Sequence, residues 1–302
     1  MANSSTDNID IELFKDDLKY IDQKFLQSII QIFSFIYEDE KQFLLMTKKA
    51  TYAYGEVICS WLSLENKLTK PQWISLLNDI KIVQVDSGSD FVAILTDEGQ
   101  VFLAGHVETK WKTSKTLRLI NTDKDRFKMI ACGSYHLLML RQDDHVFATG
   151  CDQITCIKSS CECMINIGIE NVKLIACGQF HCIVVTNSSE IYSWGYNVFG
   201  QLGLGDEKNR NAPCLVPFHN ADSTRIKDIV AGNYHSLFLF ENGQLWGCGS
   251  NENGELGLGY DIGQSTLTKL PFENVQQIAC SKDQNLSLAH DGLNYYAWGK
   301  TM

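Results

Sequence analysis

The chain repeats one short pattern, and this repetition limits its possible folds more than any other feature. Three segments align without gaps, each ending in Gly-x-x-His: residues 130–136, 175–181 and 229–235. In each segment a second glycine follows the first after 17 residues, which gives the pairs Gly133 and Gly150, Gly178 and Gly195, and Gly232 and Gly249. Self-similarity of this kind is typical of chains built from small structural units that pack on their neighbours.

Three weaker copies extend the pattern in both directions. Gly88 to Gly105 keeps the spacing of 17 but has Phe91 in place of the histidine. Residues 278–284 have lost the glycine and the histidine, although this copy still ends at Trp298-Gly299, and residues 43–55 form a copy at the front. The second glycines then fall at residues 55, 105, 150, 195, 249 and 299. Their spacings of 50, 45, 45, 54 and 50 lie in the range of propeller blades.

Inside each unit the apolar residues follow a period of two. Residues 181–186 are a short apolar run rich in β-branched side chains, followed by a turn at 187–190 and a second run at 191–194. Asn242-Gly243 marks the same turn in the next unit, because this pair supplies the positive φ that tight hairpins need. The pattern predicts an all-β chain, a β-propeller of four-stranded blades with about six units visible, and it excludes a helical solenoid.

The first residues of the chain show a different, helical spacing. Residues 1–40 hold nine acidic residues and three lysines, a net charge of −6 out of −10 for the whole chain. Apolar residues recur there mostly at intervals of three or four: Ile9, Leu13, Leu18, Ile21, Phe25, Ile29, Ile32 and Phe33. We therefore expect an acidic arm with one amphipathic helix over residues 1–34 and a propeller over residues 35–302, with helix confined mainly to the first ~40 residues.

Two segments carry a longer signature. Residues 194–205 read Trp-Gly-Tyr-Asn-Val-Phe-Gly-Gln-Leu-Gly-Leu-Gly, and residues 249–259 repeat this pattern with the same offsets. The signature, in phase with Gly-x-x-His, resembles the repeat of the regulator of chromosome condensation family over roughly residues 35–302. The resemblance implies a circular propeller of about seven blades. It also implies one of several functions: exchange on small GTPases, a part in a ubiquitin ligase, or an interaction scaffold.

The chain departs from the family pattern in places. The Asn-x-x-Gly-Gln-Leu-Gly stretch is missing after Gly105 and after Gly150. Six second glycines occur where the resemblance implies about seven, and the last copy stops where that stretch would begin. We therefore expect a propeller that is incomplete at its C-terminus, unless the arm covers the gap or six blades close alone. The degenerate first copy and the acidic front most resemble the branch of the family in which a BTB domain follows the propeller.

The signature residues are expected to be structural. A catalytic or binding site is normally used once, whereas His136, His181 and His235 occupy one equivalent position in three units. We interpret each as a hydrogen bond to a neighbouring strand. The other signature positions are Gly133, Gly150, Gly178, Trp194, Gly195, Asn197, Gly200, Gly203, Gly205, Gly232, Gly249, Asn251, Gly254, Gly257, Gly259, Trp298 and Gly299.

The 11 cysteines indicate neither disulfides nor a metal site. Cys132, Cys177 and Cys280 share one repeat position and are expected to be small buried apolar residues. A separate group lacks the paired Cys-x-x-Cys spacing of zinc sites: Cys151, Cys156, Cys161 and Cys163. No secretory signal and no membrane span are recognisable, so the thiols are expected to stay reduced in the cytoplasm or nucleus.

No catalytic or cofactor motif stands out in the sequence. There is no Gly-Lys-[Ser/Thr] phosphate loop and no His-Glu-x-x-His pair, and Asp206-Glu207 would repel an anion at the signature loop. The net charge of −10 argues against nucleic acid as a partner. The sequence predicts a non-enzymatic scaffold for protein partners, such as a ubiquitin-ligase adaptor, with no cofactor, no metal, no nucleic acid and no membrane. The alternative is a guanine-nucleotide exchange factor for a small GTPase.

Overall fold

The computed structural model describes residues 11–37, 40–65, 70–105, 117–120, 124–150, 164–218 and 224–300. Within these residues the chain is almost entirely β-structure, in six antiparallel sheets that follow one another along the sequence. Each sheet corresponds to one copy of the repeat, so the predicted all-β propeller is confirmed, with six blades. The chain divides after Lys128 into two compact units, and each is described on its own.

The first unit holds blades one and two. Blade one consists of β1 (Ile29–Tyr37), β2 (Glu40–Thr47), β3 (Thr51–Tyr54) and β4 (Gln72–Trp73). Blade two consists of β5 (Ile82–Ser87), β6 (Phe91–Thr96), β7 (Val101–Gly105) and β8 (Arg118–Leu119). The helical segments are 3₁₀ turns at Ile11–Phe14 and Ser75–Leu77, and the short α-helices α1 (Gln23–Leu26) and α2 (Glu56–Trp61).

The second unit holds blades three to six. Blade three consists of β9 (Phe127–Cys132, which begins just before the division), β10 (His136–Arg141), β11 (Val146–Gly150) and β12 (Ile165–Asn166). Blade four consists of β13 (Val172–Cys177), β14 (His181–Thr186), β15 (Ile191–Gly195) and β16 (Arg210–Leu215). Blade five consists of β17 (Ile226–Ala231), β18 (His235–Phe240), β19 (Leu245–Gly249) and β20 (Gln264–Lys269). Blade six has three strands within the described residues: β21 (Gln277–Cys280), β22 (Asn285–His290) and β23 (Tyr295–Lys300).

The central strands of a blade send alternate side chains to the two neighbouring blades. In β14, Cys182 and Val184 belong to the apolar cluster between blades three and four. Ile183 and Val185, from the same strand, belong to the cluster between blades four and five. Successive side chains of a strand point to opposite faces, so a strand buried on both faces reads as one continuous apolar run. This explains why the core of the second unit is a series of layers between sheets.

The predicted amphipathic helix is wrong for the end of its range. Ile29–Tyr37 form β1, which pairs with β2, and the α-helix before it has only four residues. A β-bulge between Ile29 and Gln31 adds one residue, so that Ile29 and Ile32 pack on the same face of the strand at an interval of three, which imitates helical spacing. Helix is also not confined to the N-terminal segment, since α2 follows Gly55. The longest α-helix among the described residues has 6 residues, too few to cross a bilayer.

The segment before β1 packs on blade one. Leu18, Ile21 and Leu26 are buried there against Phe43 and Leu45 of β2. The intervening side chains of β2 point to the other face, into the apolar cluster shared with blade two. The N-terminal segment therefore covers one face of blade one as a neighbouring sheet would, and its apolar residues are part of a core.

Candidate protein-interaction face

One end of a blade carries both parts of the repeat signature. In blade four, His181 at the start of β14 pairs with Gly195 at the end of β15. The connection before His181 and the signature loop after Gly195 therefore leave the sheet at the same end. The turn at 187–190 lies at the opposite end. We call these the signature end and the turn end.

Asn197 shapes the signature loop of blade four from inside. Its side chain is fully buried, and its Nδ2 donates to the carbonyl oxygens of Asp206 at 2.8 Å and of Lys208 at 3.1 Å. Its Oδ1 accepts from the backbone N–H of Leu202 at 2.9 Å. One amide thereby joins the two arms of the loop and satisfies backbone groups that have no partner in a sheet.

Blade five builds the equivalent loop around Asn251. Its Oδ1 accepts from the backbone N–H of Leu256 at 2.8 Å, and its Nδ2 donates to the carbonyl oxygen of Tyr260. The two loops therefore have the same internal construction. Equivalent substitutions in them can be compared directly.

A pair of equivalent glycines offers such a comparison, Gly200 in blade four and Gly254 in blade five. Both have positive φ, +77° and +81°, where alanine costs about 1–2 kcal/mol. A Cβ at Gly200 would also lie 2.6 Å from Cα of Ser265 in β20, whereas a Cβ at Gly254 meets no atom within 4 Å.

We expect Gly254→Ala to lose about 1–2 kcal/mol of unfolding free energy. Gly200→Ala should lose a further ~1–3 kcal/mol, as measured by urea denaturation. Equal losses would contradict the close packing of this loop on blade five.

The histidine of blade four connects it to blade five. His181 is fully buried, and its Nε2 lies 2.9 Å from Ser236 Oγ in β18. The Ser236 hydroxyl donates to the carbonyl oxygen of Gln201 in the signature loop at 2.8 Å. Because that hydroxyl has one proton to give, His181 Nε2 carries the hydrogen and donates to Ser236. Gly178 is needed here, since a Cβ at this position would overlap the imidazole ring.

The junction between blades five and six has the same arrangement. His235 Nε2 lies 2.8 Å from Ser287 Oγ, which donates to the carbonyl oxygen of Glu255 at 2.8 Å. The ungapped repeat places Gln284 at the histidine position of blade six. In blade five, however, the histidine pairs with the second glycine of its blade, and the residue that pairs with Gly299 in blade six is Leu286. The connection between β21 and β22 is therefore two residues longer than in blade five.

Burial keeps both of these imidazoles neutral at neutral pH. Desolvation lowers the pKa of His235 to about 4, although the Glu255 carboxylate works in the opposite direction. Desolvation, with the like charges of the two neighbouring histidines, lowers the pKa of His181 to about 3. A neutral imidazole of this kind holds the junction through one hydrogen bond and is out of reach of a substrate in solvent.

The third histidine, His136 of blade three, is equally buried but meets different atoms. Its ring nitrogen lies within 4.8 Å of the sulfur atoms of Cys177 and Cys182 in blade four. Cys182 stands at the strand position that Ser236 occupies in blade five. This junction therefore places an imidazole against thiols where the other two place it against a hydroxyl.

Four aromatic rings meet at the signature end of blades four and five. Phe180 and Tyr234 precede the two histidines, and Tyr196 and Phe199 lie in the signature loop of blade four. The ring centroids of Phe199 and Tyr234 are 4.8 Å apart, and Tyr196 lies 6.0 Å from Tyr234 and 6.4 Å from Phe180. All four side chains are half-buried. We call this cluster the aromatic face.

Further exposed groups surround the aromatic face in the connections at the same end. Val198, within the loop, is 45% exposed, and Tyr135, at the equivalent position in blade three, is 39% exposed. Exposed charged residues of the two signature loops are mainly acidic: Glu207, Lys208, Glu252 and Asp261. The signature end of blades three to five thus has an apolar, aromatic centre with mostly acidic residues around it.

The turn end of blades four and five has a cavity of about 340 Å³. It is lined by Asn187, Ser188, Ser189, Phe218, Thr224, Arg225, Ile226 and Phe240. Among the described residues that line the cavity, Arg225 is the single charged one.

The comparison with known proteins agrees with this architecture. The family model of the RCC1-like domain matches residues 34–302. The chain belongs to the RCC1-like domain family. Among solved structures, Prp20p of Saccharomyces cerevisiae superposes with a TM-score of 0.72 over 85% of this RCC1-like chain and 69% of Prp20p, at 24% identity. At that identity the likeness concerns the fold.

Two curated human relatives are similar over about a third of the chain. The inhibitor of Bruton tyrosine kinase is 33% identical over 107 residues, which are 34% of this chain and 8% of that protein. The E3 ubiquitin-protein ligase HERC2 is 32% identical over 114 residues, which are 36% of this chain and 2% of HERC2. The matched segment is thus a small part of either relative.

Proposed function

We propose that this RCC1-like chain is a non-enzymatic scaffold and that its aromatic face binds a protein partner. The observation that carries the proposal is the contact cluster of Phe180, Tyr196, Phe199 and Tyr234 on loops held by a buried amide and a buried imidazole. Aromatic side chains dominate the binding energy of protein interfaces. They offer large contact area at a low cost in side-chain entropy, and rigid loops lower that cost further.

The charged residues around the aromatic face indicate the chemistry of the partner. Glu207, Glu252 and Asp261 are exposed in the signature loops, against one exposed lysine, Lys208. Acidic groups at this end oppose the approach of phosphates, which supports a protein partner rather than nucleic acid. We infer a partner surface with an apolar centre and basic residues around it.

The similarity to HERC2, a ubiquitin-protein ligase, supports a place for this scaffold in a ubiquitin-ligase assembly. The alternative, nucleotide exchange on a small GTPase, rests on a fold shared with the yeast protein Prp20p. A fold hosts many functions, so the likeness of the backbone alone favours neither. The acidic loops and the buried, neutral histidines favour the scaffold.

The proposal is tested by affinity purification from cell extract with three versions of the full chain. These are the wild type, the double variant Phe199→Ala/Tyr234→Ala, and the control Leu293→Ala/Tyr295→Ala. The control removes two exposed apolar side chains, 89% and 83% exposed, at the turn end of blade six. We expect one set of proteins to be recovered with the wild type and the control and lost with the double variant.

Two outcomes would contradict the proposal. In the first, the double variant, folded with an unchanged melting temperature, still recovers every protein that the wild type recovers. In the second, the recovered protein is a small GTPase whose nucleotide release the chain accelerates, which would show an exchange factor.

A further inference from the structure

The junction between blades three and four has a chemistry that the next two junctions lack. Cys177 in β13 and Cys182 in β14 are direct cross-strand partners. Ala231 and Ser236 are the corresponding pair in blade five. The change places two thiols in front of His136, where the next junction has a methyl group and a hydroxyl.

The three side chains form a compact donor set. One ligand atom from each of His136, Cys177 and Cys182 lies within 4.8 Å of the other two. The two sulfur atoms are 3.9 Å apart. Two thiolates bound to one tetrahedral zinc ion at about 2.3 Å each are about 3.8 Å apart. The sulfur atoms already have this separation without any movement of the strands.

The donor set is buried and fixed by the sheets. His136 and Cys182 are 0% exposed and Cys177 is 3% exposed. His136 begins β10, Cys177 ends β13 and Cys182 lies in β14, so all three donors come from strands rather than from loops. Donors held on rigid elements need little ordering when a metal binds.

We propose that His136, Cys177 and Cys182 bind one zinc ion that links blade three to blade four. Thiolate and imidazole are ligands that zinc prefers, and three protein ligands leave the fourth tetrahedral position to water or another donor. Binding replaces the two thiol protons, which are released to solvent. The zinc ion connects blades three and four, as the imidazole–hydroxyl–carbonyl chain connects the blades at the next two junctions. This role is independent of what the aromatic face binds.

The experiment measures zinc in the full chain purified from cells grown with zinc. Two chains are used, the wild type and a variant that we call the four-serine chain. In this variant serine replaces each of the four cysteines that lie outside the described residues: Cys151, Cys156, Cys161 and Cys163. We expect the four-serine chain to hold about one zinc ion by elemental mass spectrometry. Adding Cys182→Ser should abolish zinc binding and leave the chain folded, because it recreates the imidazole–hydroxyl pair of the next junction. Adding Cys248→Ser, which removes a buried thiol elsewhere, should leave the zinc in place.

Two further readouts separate a zinc ligand from a buried thiol. Cobalt added to the reduced, zinc-free chain should give sulfur-to-metal absorption that the Cys182→Ser chain lacks. A chelator should lower the melting temperature of the four-serine chain by several degrees and leave that of the Cys182→Ser chain unchanged.

The proposal is overturned if the reduced four-serine chain binds no zinc, or if the Cys182→Ser chain keeps it. A zinc-free four-serine chain whose mass is lower by two hydrogens, a difference that the added Cys182→Ser abolishes, would indicate a disulfide of Cys182 instead.

Discussion

Acidification from about pH 7 to about pH 5 is expected to destabilise the wild-type chain through His235 by about 2 kcal/mol. Burial holds the pKa of this imidazole at about 4 in the folded chain, against about 6.5 when the chain is unfolded. Above the unfolded value both states are neutral and the bond to Ser287 contributes in full. Below the unfolded pKa the unfolded chain binds a proton at this imidazole and the folded chain does not. The free energy of unfolding therefore falls by about 1.4 kcal/mol per pH unit until the folded pKa is reached.

His235→Gln isolates this contribution, because glutamine has no charge to gain. Urea unfolding of both chains at about pH 7 and about pH 5 gives the free energies. Titrating groups that do not interact with His235 act equally in both chains and cancel in the comparison. The wild type should lose about 2 kcal/mol more than His235→Gln over this interval. Equal losses in the two chains would show that His235 is protonated in the folded state, contrary to its burial.

Loss of two rings from the aromatic face is expected to weaken partner binding by a factor on the order of 10³. A central aromatic side chain of an interface commonly carries about 2 kcal/mol or more, which is roughly 30-fold in the dissociation constant. Phe199 and Tyr234 contact each other, so their effects need not add, and each single variant is measured as well. Calorimetry with a protein recovered by the wild type gives the dissociation constants.

The matched control for this measurement is Leu293→Ala/Tyr295→Ala. It removes more exposed apolar surface than the double variant, but at the turn end of blade six. We expect less than about 0.5 kcal/mol change in binding from the control. A loss of affinity of the same size in both double variants would mean that non-specific contacts with exposed apolar side chains, and not the aromatic face, bind the partner.

The repeat architecture could be predicted from the sequence because its constraints are local. A hairpin turn needs a residue with positive φ, and a close approach of an imidazole needs a glycine, as at Gly178. The turn residue with positive φ recurs in blades two to six and the contact between glycine and imidazole in blades three to five, and both therefore show as a period. The first strand was misread because a bulge at Ile29 changed its spacing. The longer connection before Leu286 was missed because one sequence cannot show an insertion in a degenerate copy.

The aromatic face was not predicted, for a different physical reason. Its rings come from the connection before each histidine and from one signature loop, up to 54 residues apart, and only the fold brings them together. One signal was present: an aromatic residue directly precedes the histidine in all three clear copies, as Tyr135, Phe180 and Tyr234. The thiol–imidazole cluster was hidden in the same way, since Cys177 and Cys182 approach His136 only when two blades pack.

Amide hydrogen exchange of the full chain, alone and with a recovered protein partner, tests the central claim most directly. The account predicts slower exchange on binding at residues 178–180, 196–208 and 232–234, at the signature end of blades four and five. Exchange at the turn end, residues 187–190 and 241–244, should be unchanged. Protection confined to the turn end, or spread equally over both ends, would contradict an interaction face built on the aromatic cluster.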